Sequence, residues 1–383
     1  MKIVLLGATG SIGMNACNCI RRFPEKFELV GMSSYNNAGK LAELAREFRP
    51  VSVCVGNPRA LDASAKPRAE FPPEIKLYTG QKGLEDIVNE TDFDVLLNAV
   101  VGAAGLRATV ATLNRNKRVA LANKESLVIG GEYIDRLIKN GSGEIVPVDS
   151  EHSAILQCLS GEKKGTVESV ILTASGGPFR DIDQEKLHFI TPAQALNHPT
   201  WSMGEKITID SATLINKGFE VIEAHHLFNL PYGKIRVLIH PQSVIHSMVE
   251  YFDGAIMAQM GIPDMELPIQ YALTYPERLP IQNRRLDLAK IGSLTFYEPD
   301  VKRFPCLKLC LEAGKMGGTA PAIVNAANEM AVRLFLDGKI HFDQIAEIIE
   351  ESLQAHPSVH VDSLETIENA DITIRTKILK RFG

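Results

Sequence analysis

The sequence predicts an α/β fold: an N-terminal doubly wound parallel sheet, a central α+β domain and a C-terminal helical bundle. Three observations carry that expectation. Residues 1 to about 148 alternate strand-like and helix-like runs. The glycine-rich Gly7-Ala8-Thr9-Gly10-Ser11-Ile12-Gly13 follows the first strand at once, and the apolar period beyond residue 300 is helical. A chain of 383 residues exceeds one ordinary core. The expected division is 1–149, 150–274, a linker at 275–300, and 301–383.

Apolar residues make up 45% and charged residues 23%, so a sizeable core can form. A formal net charge of −5 argues against a nucleic-acid footprint. No apolar run reaches the length of a membrane span. Met1-Lys2 leads straight into Ile3-Val4-Leu5-Leu6, without a leader pattern. A cytoplasmic protein is expected, with neither nucleic acid nor membrane as partner. The six cysteines have no regular spacing. Cys17, Cys19, Cys306 and Cys310 read as small buried hydrophobes, because no further ligands stand near either pair to complete a zinc site.

Strands are predicted at Ile3–Leu6, Phe27–Met32, Val51–Val55, Ile75–Tyr78, Asp94–Val100, Arg118–Leu121 and Glu144–Val148. The G-x-x-G-x-x-G run between the first strand and the first helix is a variant of the Rossmann-like dinucleotide fingerprint. Glycines three apart let the backbone approach a pyrophosphate, which the free N–H groups of a helix N-terminus favour. The second strand ends in Met32-Ser33-Ser34-Tyr35-Asn36-Asn37, with no carboxylate to repel a 2′-phosphate, which predicts NADP(H) over NAD(H). Ala122-Asn123-Lys124-Glu125-Ser126 follows the sixth strand, at the sheet edge where open α/β proteins bind ligands. Lys124-Glu125 also reads as a solvated surface pair.

Val148-Asp149-Ser150-Glu151-His152 closes the first domain. In an extended segment Asp149 and Glu151 point to the same side and can converge on a hard cation. The same pattern is an ordinary helix start, with Asp as cap and Glu in the first turn. Further on, Val167–Thr173 reads as a strand that ends in Ser175-Gly176-Gly177-Pro178-Phe179, a hydroxyl and open N–H groups suited to an anion or to a tight turn. Thr191-Pro192-Ala193-Gln194 is a capping box with Pro at the first helical position. His198-Pro199-Thr200-Trp201-Ser202-Met203-Gly204 holds the one Trp in a polar loop, as a lid would.

Lys206–Ile209 is expected as a strand, ahead of Asp210-Ser211-Ala212-Thr213. Asn216, Lys217 and Glu220 then fall within one helical turn and can face one cavity, or form a surface ion pair. His225, His226, His240 and His246 read as core or surface residues. Lys234–Met260 is β-rich and suits a sheet that packs helices on one face or mediates self-association. Asp264–Leu273 reads as a helix that Pro268 should kink. Four helical runs follow the linker: Cys306–Met316, Ala320–Asp337, Phe342–Gln354 and Ser363–Lys380.

Six motifs in order resemble the 1-deoxy-D-xylulose 5-phosphate reductoisomerase family over essentially the whole chain. They are G-A-T-G-S-I-G, A-N-K-E-S, V-D-S-E-H, S-G-G-P-F, H-P-T-W-S-M-G and D-S-A-T-L-I-N-K-G-F-E. The resemblance implies an NADPH-dependent enzyme of the non-mevalonate isoprenoid pathway that uses Mg²⁺ or Mn²⁺. It would rearrange a small sugar phosphate and reduce the product as a homodimer. Asp149, Glu151 and Glu220 match the metal ligands, an all-carboxylate set that hard ions prefer. Ser175, Ser211, Asn216 and Lys217 match phosphate and substrate contacts, while Lys124, Ser150 and His198 match positions close to the substrate. Trp201 and Met203 match the flap. Thr9, Gly10, Ser11, Ile12, Asn123, Glu125 and Gly204 match nucleotide contacts. Lys124, Glu151, His198 and Lys217 are the expected catalytic residues, and Glu151 and Lys217 the expected proton handlers.

One departure stands out. Where the family often shows a Gly-Lys-Asn-like run, this chain has Tyr35-Asn36-Asn37, so Asn36 and Asn37 become the expected contacts of the nucleotide's adenosine end and some tolerance of NADH is expected. Two other readings fit the fingerprint: a metal-independent aldehyde or semialdehyde dehydrogenase, which requires an activated Cys nucleophile, and a non-catalytic NADP-binding protein.

Overall fold

The computed structural model describes residues 1–62, 71–163, 165–201, 203–281 and 285–382. The chain divides into two compact units, each drawn from separate stretches of sequence. Met1–Ser126, Ile134–Ser153 and Met265–Ile281 form the first, and Leu127–Tyr133, Ala154–Asp264 and Gln282–Gly383 the second.

The first unit is a parallel sheet of strands β1 (Lys2–Leu6), β2 (Glu28–Ser34), β3 (Ser52–Val55), β4 (Lys76–Thr79), β5 (Val95–Asn98), β6 (Arg118–Leu121) and β7 (Glu144–Pro147). Helices α1 (Ser11–Arg22), α2 (Ala38–Phe48), α3 (Arg59–Asp62), α4 (Gly80–Glu90), α5 (Leu106–Asn114), α6 (Glu125–Lys139) and α7 (Ser150–Cys158) follow the strands in turn. Each predicted strand appears, displaced by no more than a residue or two. The inner strands are buried along nearly their whole length, as in a sheet covered on both faces, so their sequences run apolar instead of alternating. Strand order is β4-β3-β2-β1-β5-β6-β7. The chain therefore reverses direction across the sheet between β1 and β5, which opens a crevice at their carboxyl ends.

The helix Glu266–Thr274 packs on α1, where Arg22 and Glu266 form an ion pair. Pro268 does not kink it. As the third helical residue, Pro268 occupies the first turn, where an N–H has no intrahelical partner to lose.

The second unit is built on a mixed sheet of β8 (Val167–Ala174), β9 (Ile235–Ile239), β10 (Ile245–Tyr251) and β11 (Ile256–Met260), in the order β11-β10-β8-β9. Its helices are α8 (Pro192–Ala195), α9 (Glu205–Ala212) and α10 (Ile215–Phe228). After α11, the helix Glu266–Thr274 of the first unit, come α12 (Leu288–Ile291), α13 (Cys306–Met316), α14 (Ala320–Leu336), α15 (Gln344–Ala355) and α16 (Leu364–Phe382). Val170, Leu172 and Val249 on one face of the sheet pack with Val221 and Ala224 of α10. Alternate residues Ile171 and Met248 lie on the opposite face. Gly218 lets α10 and α13 approach closely, since a Cβ there would stand 2.5 Å from Cβ of Cys310. The helix α14 is buried almost all round and forms the core of the C-terminal bundle.

One expectation changes here. Lys206–Ile209 is helical, within α9, not a strand. Gly204 starts that helix by accepting from Thr208 N at 3.1 Å, and Lys206 and Asp210 join at helical spacing, 2.8 Å apart. These local bonds outweigh the alternation of Ile207 and Ile209. The stretch expected as a linker carries α12 and pairs Tyr297 with Ile239; its residues 282–284 lie outside the described ones. The capping box at Thr191 forms as predicted. Among the described residues no helix is long and apolar enough to cross a membrane.

Gly13 and Gly39 offer a contrast in backbone crowding. A Cβ at Gly13 would lie 2.2 Å from the Gly7 carbonyl oxygen and 2.6 Å from Cα of Ala8, whereas at Gly39 it would meet nothing within 4 Å. Gly13→Ala should destabilise by about 1–3 kcal/mol. Gly39→Ala, inside α2, should stabilise by about 0.4–1 kcal/mol. Urea midpoints of the two variants should move in opposite directions; a shared direction would contradict the packing described.

Candidate active site

The nucleotide side of the first unit is built by backbone proximity. Leu6 on β1 pairs with Asn98 on β5, so the turns that follow both strands meet in the crevice. Gly7 adopts a left-handed φ of +83°, and a Cβ there would stand 2.5 Å from the Ala99 carbonyl oxygen. Ala8 N donates to Ser33 O at 2.7 Å, and the hydroxyls of Thr9 and Ser34 lie 2.7 Å apart. Gly10 is the N-cap of α1, and no side chain caps that helix, so the turn presents Ser11 and Ile12 with open N–H groups at an anion-favouring end.

At the end of β2, Asn37 accepts from Lys40 N at 3.0 Å and caps α2, and Asn36 accepts from Asn57 Nδ2 at 2.8 Å. Asn123 has a scaffold role that the sequence did not disclose. Its Nδ2 donates to the carbonyls of Val100 and Gly102 at 2.8 and 2.9 Å, which pins the turn after β5, and it lies 3.1 Å from Glu125 Oε2.

Lys124 and Glu125 are buried, not a solvated surface pair. The reason is topological: β6 and β7 are parallel neighbours, so residues just past their carboxyl ends are adjacent. Lys124 Nζ there forms an ion pair with Asp149 Oδ2. Asp149 also accepts from Ser150 N at 3.1 Å, and Ser153 N donates to its carbonyl at 2.9 Å, which makes it the start of α7. Glu151 lies in the first helical turn, hydrogen-bonded to the Ser150 hydroxyl. The extended geometry expected for Asp149 and Glu151 does not occur. The helix-start reading holds.

In the second unit the buried centre is Glu220 on α10. Asn216 Nδ2 donates to its Oε1 at 2.6 Å, and Lys217 Nζ pairs with its Oε2. Lys217 and Glu220 side chains are 4% and 1% exposed, so this is no surface pair. Just before, Leu214 holds a left-handed φ of 62° between α9 and α10, an uncommon conformation for a residue with a Cβ. Asp210 is held by Lys206 and by Asn328 Nδ2 at 2.8 Å, a contact invisible to sequence reading because 118 residues separate the two.

Ser175 and Ser211 share a corner. Gly176 and Gly177 turn the chain with φ of +86° and +69°, and a Cβ at Gly177 would stand 2.9 Å from the Ser211 carbonyl oxygen. His198 Nε2 lies 3.0 Å from the Ser175 hydroxyl, while its Nδ1 accepts from Thr200 N and Trp201 N at 3.1 and 2.9 Å. An Nδ1 that accepts carries no proton, so Nε2–H donates to Ser175 Oγ. Gly177 N also donates to that oxygen, at 3.2 Å. The serine's own proton is left for a ligand. Trp201 tilts against His246, ring centroids 6.3 Å apart. Gly204 starts α9, and Ser202 lies outside the described residues.

All six cysteines are buried and free, and burial pushes the thiols up, Cys17 and Cys19 to about 11 and Cys54 and Cys306 to about 12. No cysteine is an activated thiolate nucleophile of the kind aldehyde dehydrogenase chemistry requires.

Comparison with known proteins agrees with the motifs. Residues 3–131 match a family model described as 1-deoxy-D-xylulose 5-phosphate reductoisomerase, residues 145–228 its C-terminal domain, and residues 260–377 a DXP reductoisomerase C-terminal domain. A relative named 1-deoxy-D-xylulose 5-phosphate reductoisomerase, from Caldanaerobacter subterraneus subsp. tengcongensis, is 49% identical over 382 residues, 100% of this chain and 99% of that protein. A crystallised DOX-P reductoisomerase in complex with NADPH, fosmidomycin and magnesium superposes with a TM-score of 0.94 at 39% identity, covering 100% of this chain and 98% of that one. The Zymomonas mobilis enzyme in complex with NADPH gives 0.91 at 39% identity, with 100% and 98% covered.

Burial lowers the pKa of His198 below its ordinary value of 6.5. A folded-state pKa below the unfolded one means that neutral His198 contributes stability that is complete above pH 6.5 and is lost as pH falls through the folded value. NMR titration of the ring nitrogens should show the Nε2–H tautomer persisting below pH 6.5. A midpoint at or above 6.5 would contradict the two backbone N–H bonds to Nδ1.

Proposed function

The chain belongs to the 1-deoxy-D-xylulose 5-phosphate reductoisomerase family, and from that premise we infer that it converts 1-deoxy-D-xylulose 5-phosphate to 2-C-methyl-D-erythritol 4-phosphate with NADPH and Mg²⁺ or Mn²⁺. The observation that carries the reading at the site is Glu220, a buried carboxylate held between Asn216 and Lys217 on one turn of α10. A buried anion needs a partner of opposite charge, and a phosphate-bearing, metal-dependent reaction supplies a use for both.

The donor chemistry fits both groups. Asp149, Glu151 and Glu220 offer only carboxylate oxygen, the donor that Mg²⁺ and Mn²⁺ prefer. Gly7–Gly13 and the uncapped α1 suit a pyrophosphate, and no carboxylate at the end of β2 opposes a 2′-phosphate. When bound, NADPH supplies hydride and the divalent ion polarises the substrate's carbonyl.

The chain's own residues do the remainder. Ser175, Ser211 and Asn216 donate hydrogen bonds to the phosphate and Lys217 adds one positive charge. Neutral His198, by donating from Nε2, turns the Ser175 proton toward that anion. Lys124 places its positive charge beside Asp149, and Lys124 and Ser150 bind close to the substrate. Glu151 and Lys217 hold or move protons at the substrate hydroxyls. Trp201 and Met203 cover the site and exclude water. Thr9, Gly10, Ser11, Ile12, Asn36, Asn37, Asn123, Glu125 and Gly204 form the nucleotide side. On this reading residues 1–149 bind NADPH, 150–274 carry the metal chemistry and dimer contact, and 301–383 form a supporting helical domain joined through 275–300.

The enzyme acts in the cytoplasm as a homodimer. Support for the dimer comes from β11, an edge strand with exposed Ile256 and Met257, next to exposed Phe252. An apolar edge of this kind calls for a covering partner. Met257→Lys should shift the protein toward monomer in analytical ultracentrifugation, and an unchanged sedimentation coefficient would exclude this edge.

The central test is NADPH oxidation, which should require both the sugar phosphate and Mg²⁺ or Mn²⁺ and stop on chelation. Glu220→Gln should lower turnover by about 100-fold or more, beyond the loss typical of an outer-shell partner, and leave NADPH affinity intact. Retained turnover would remove Glu220 from the metal site.

A further inference from the structure

The corner of the first unit that would meet the nucleotide's 2′-phosphate has a defined hydrogen-bond pattern but no cation on β2 itself. Asn37 is committed to capping α2. Asn36 Oδ1 accepts from Asn57 Nδ2 at 2.8 Å, which fixes the Asn36 amide with its acceptor toward Asn57 and its own N–H donors turned elsewhere. Asn57 is fixed in turn. Its backbone N donates to Tyr35 O at 2.9 Å, and its Oδ1 accepts from Arg59 N at 3.2 Å. Gly56 N donates to Ser34 O at 2.8 Å, so the β2–β3 ladder continues past both strands. Tyr35 covers Gly56, where a Cβ would stand 2.8 Å from the ring. The segment Asn57-Pro58-Arg59 therefore lies alongside Tyr35-Asn36.

Arg59 is exposed, and among the described residues its guanidinium has no partner. Lys40, another cation of this corner, is taken by Glu43 at 2.7 Å. Doubly wound folds place the adenosine ribose at the carboxyl end of the second strand, where an arginine accommodates a 2′-phosphate. A guanidinium fork matches phosphate oxygens in a way that an amide cannot.

We propose that Arg59, presented by the turn after β3 and braced through Asn57, is the cation that recognises the 2′-phosphate of NADPH, with the Asn36 amide as its neutral co-donor. This deepens the NADPH reading above and rests on it. Cofactor choice then comes from the third strand's end, and the Asn at position 36 sacrifices no selectivity.

The test measures competitive inhibition of NADPH-dependent turnover by adenosine 2′,5′-bisphosphate and by 5′-AMP, in the wild type and in Arg59→Ala, Arg59→Lys and Asn57→Ala. Arg59→Ala should weaken the bisphosphate about 10- to 100-fold, the range expected for one charge-assisted contact, and shift 5′-AMP less than about twofold. Arg59→Lys should retain part of the bisphosphate preference, and Asn57→Ala should lose part of it. Unchanged bisphosphate inhibition in Arg59→Ala, or equal weakening of both nucleotides, would overturn the proposal while wild-type turnover still stood. A wild type that does not oxidise NADPH would instead overturn the functional reading and this proposal with it.

Discussion

A carboxylate cannot be buried unaccompanied, and among the described residues that constraint is answered with lysine at three positions. Asp149 is paired with Lys124, Asp210 with Lys206 and Glu220 with Lys217, each largely withdrawn from solvent. Removing one partner of such a pair typically costs about 3–5 kcal/mol, because the remaining charge is left desolvated. Apolar residues of similar size would often serve stability as well. At each position the ammonium supplies the opposite charge that a buried carboxylate requires.

On the proposed reading, phosphate and metal would be held by chemically different groups. Ser175, Ser211 and Asn216 are neutral donors, with Lys217 as the one cation among them, so a dianion would be oriented mainly by hydrogen bonds. Orientation requires the hydroxyl proton to point one way. His198 sets that direction because two backbone N–H groups hold Nδ1 as an acceptor, which leaves Nε2–H to donate to Ser175. The segment that contains Thr200 and Trp201 is thereby coupled to the orientation of the Ser175 hydroxyl.

Much of this was legible in the sequence, and the misreadings have physical causes. Strand positions in the first unit followed from apolar runs, and the four C-terminal helices from period alone. Asp149 and Glu151 were found as a pair, but their geometry was not, since the same residues favour an extended ligand pair and a capped helix start. Lys206–Ile209 was misread because β-branched alternation is local evidence, while the Lys206–Asp210 pair and the Gly204 start favour helix. Lys124 looked like a surface charge because the adjacency of β6 and β7 is a property of topology, not of spacing. Asn328 beside Asp210 left no trace in the sequence.

Leu214 illustrates how a local backbone cost can serve the site. In an uninterrupted helix Ser211 and Asn216, five residues apart, would be rotated about 140° from each other and face different sides. Leu214 breaks the helix with its left-handed φ, while its side chain stays buried at 4% exposure. Ser211 O accepts from Leu214 N at 3.2 Å, and Leu214 O accepts from Gly218 N at 3.2 Å, so the break remains hydrogen-bonded on both sides. A leucine in this conformation costs about 1–2 kcal/mol relative to a right-handed turn, and glycine would adopt it freely but forfeit the apolar anchor. The side chain fixes the corner, and the corner frees Ser211 and Asn216 from the helical rotation of about 140° that an unbroken helix would impose on them.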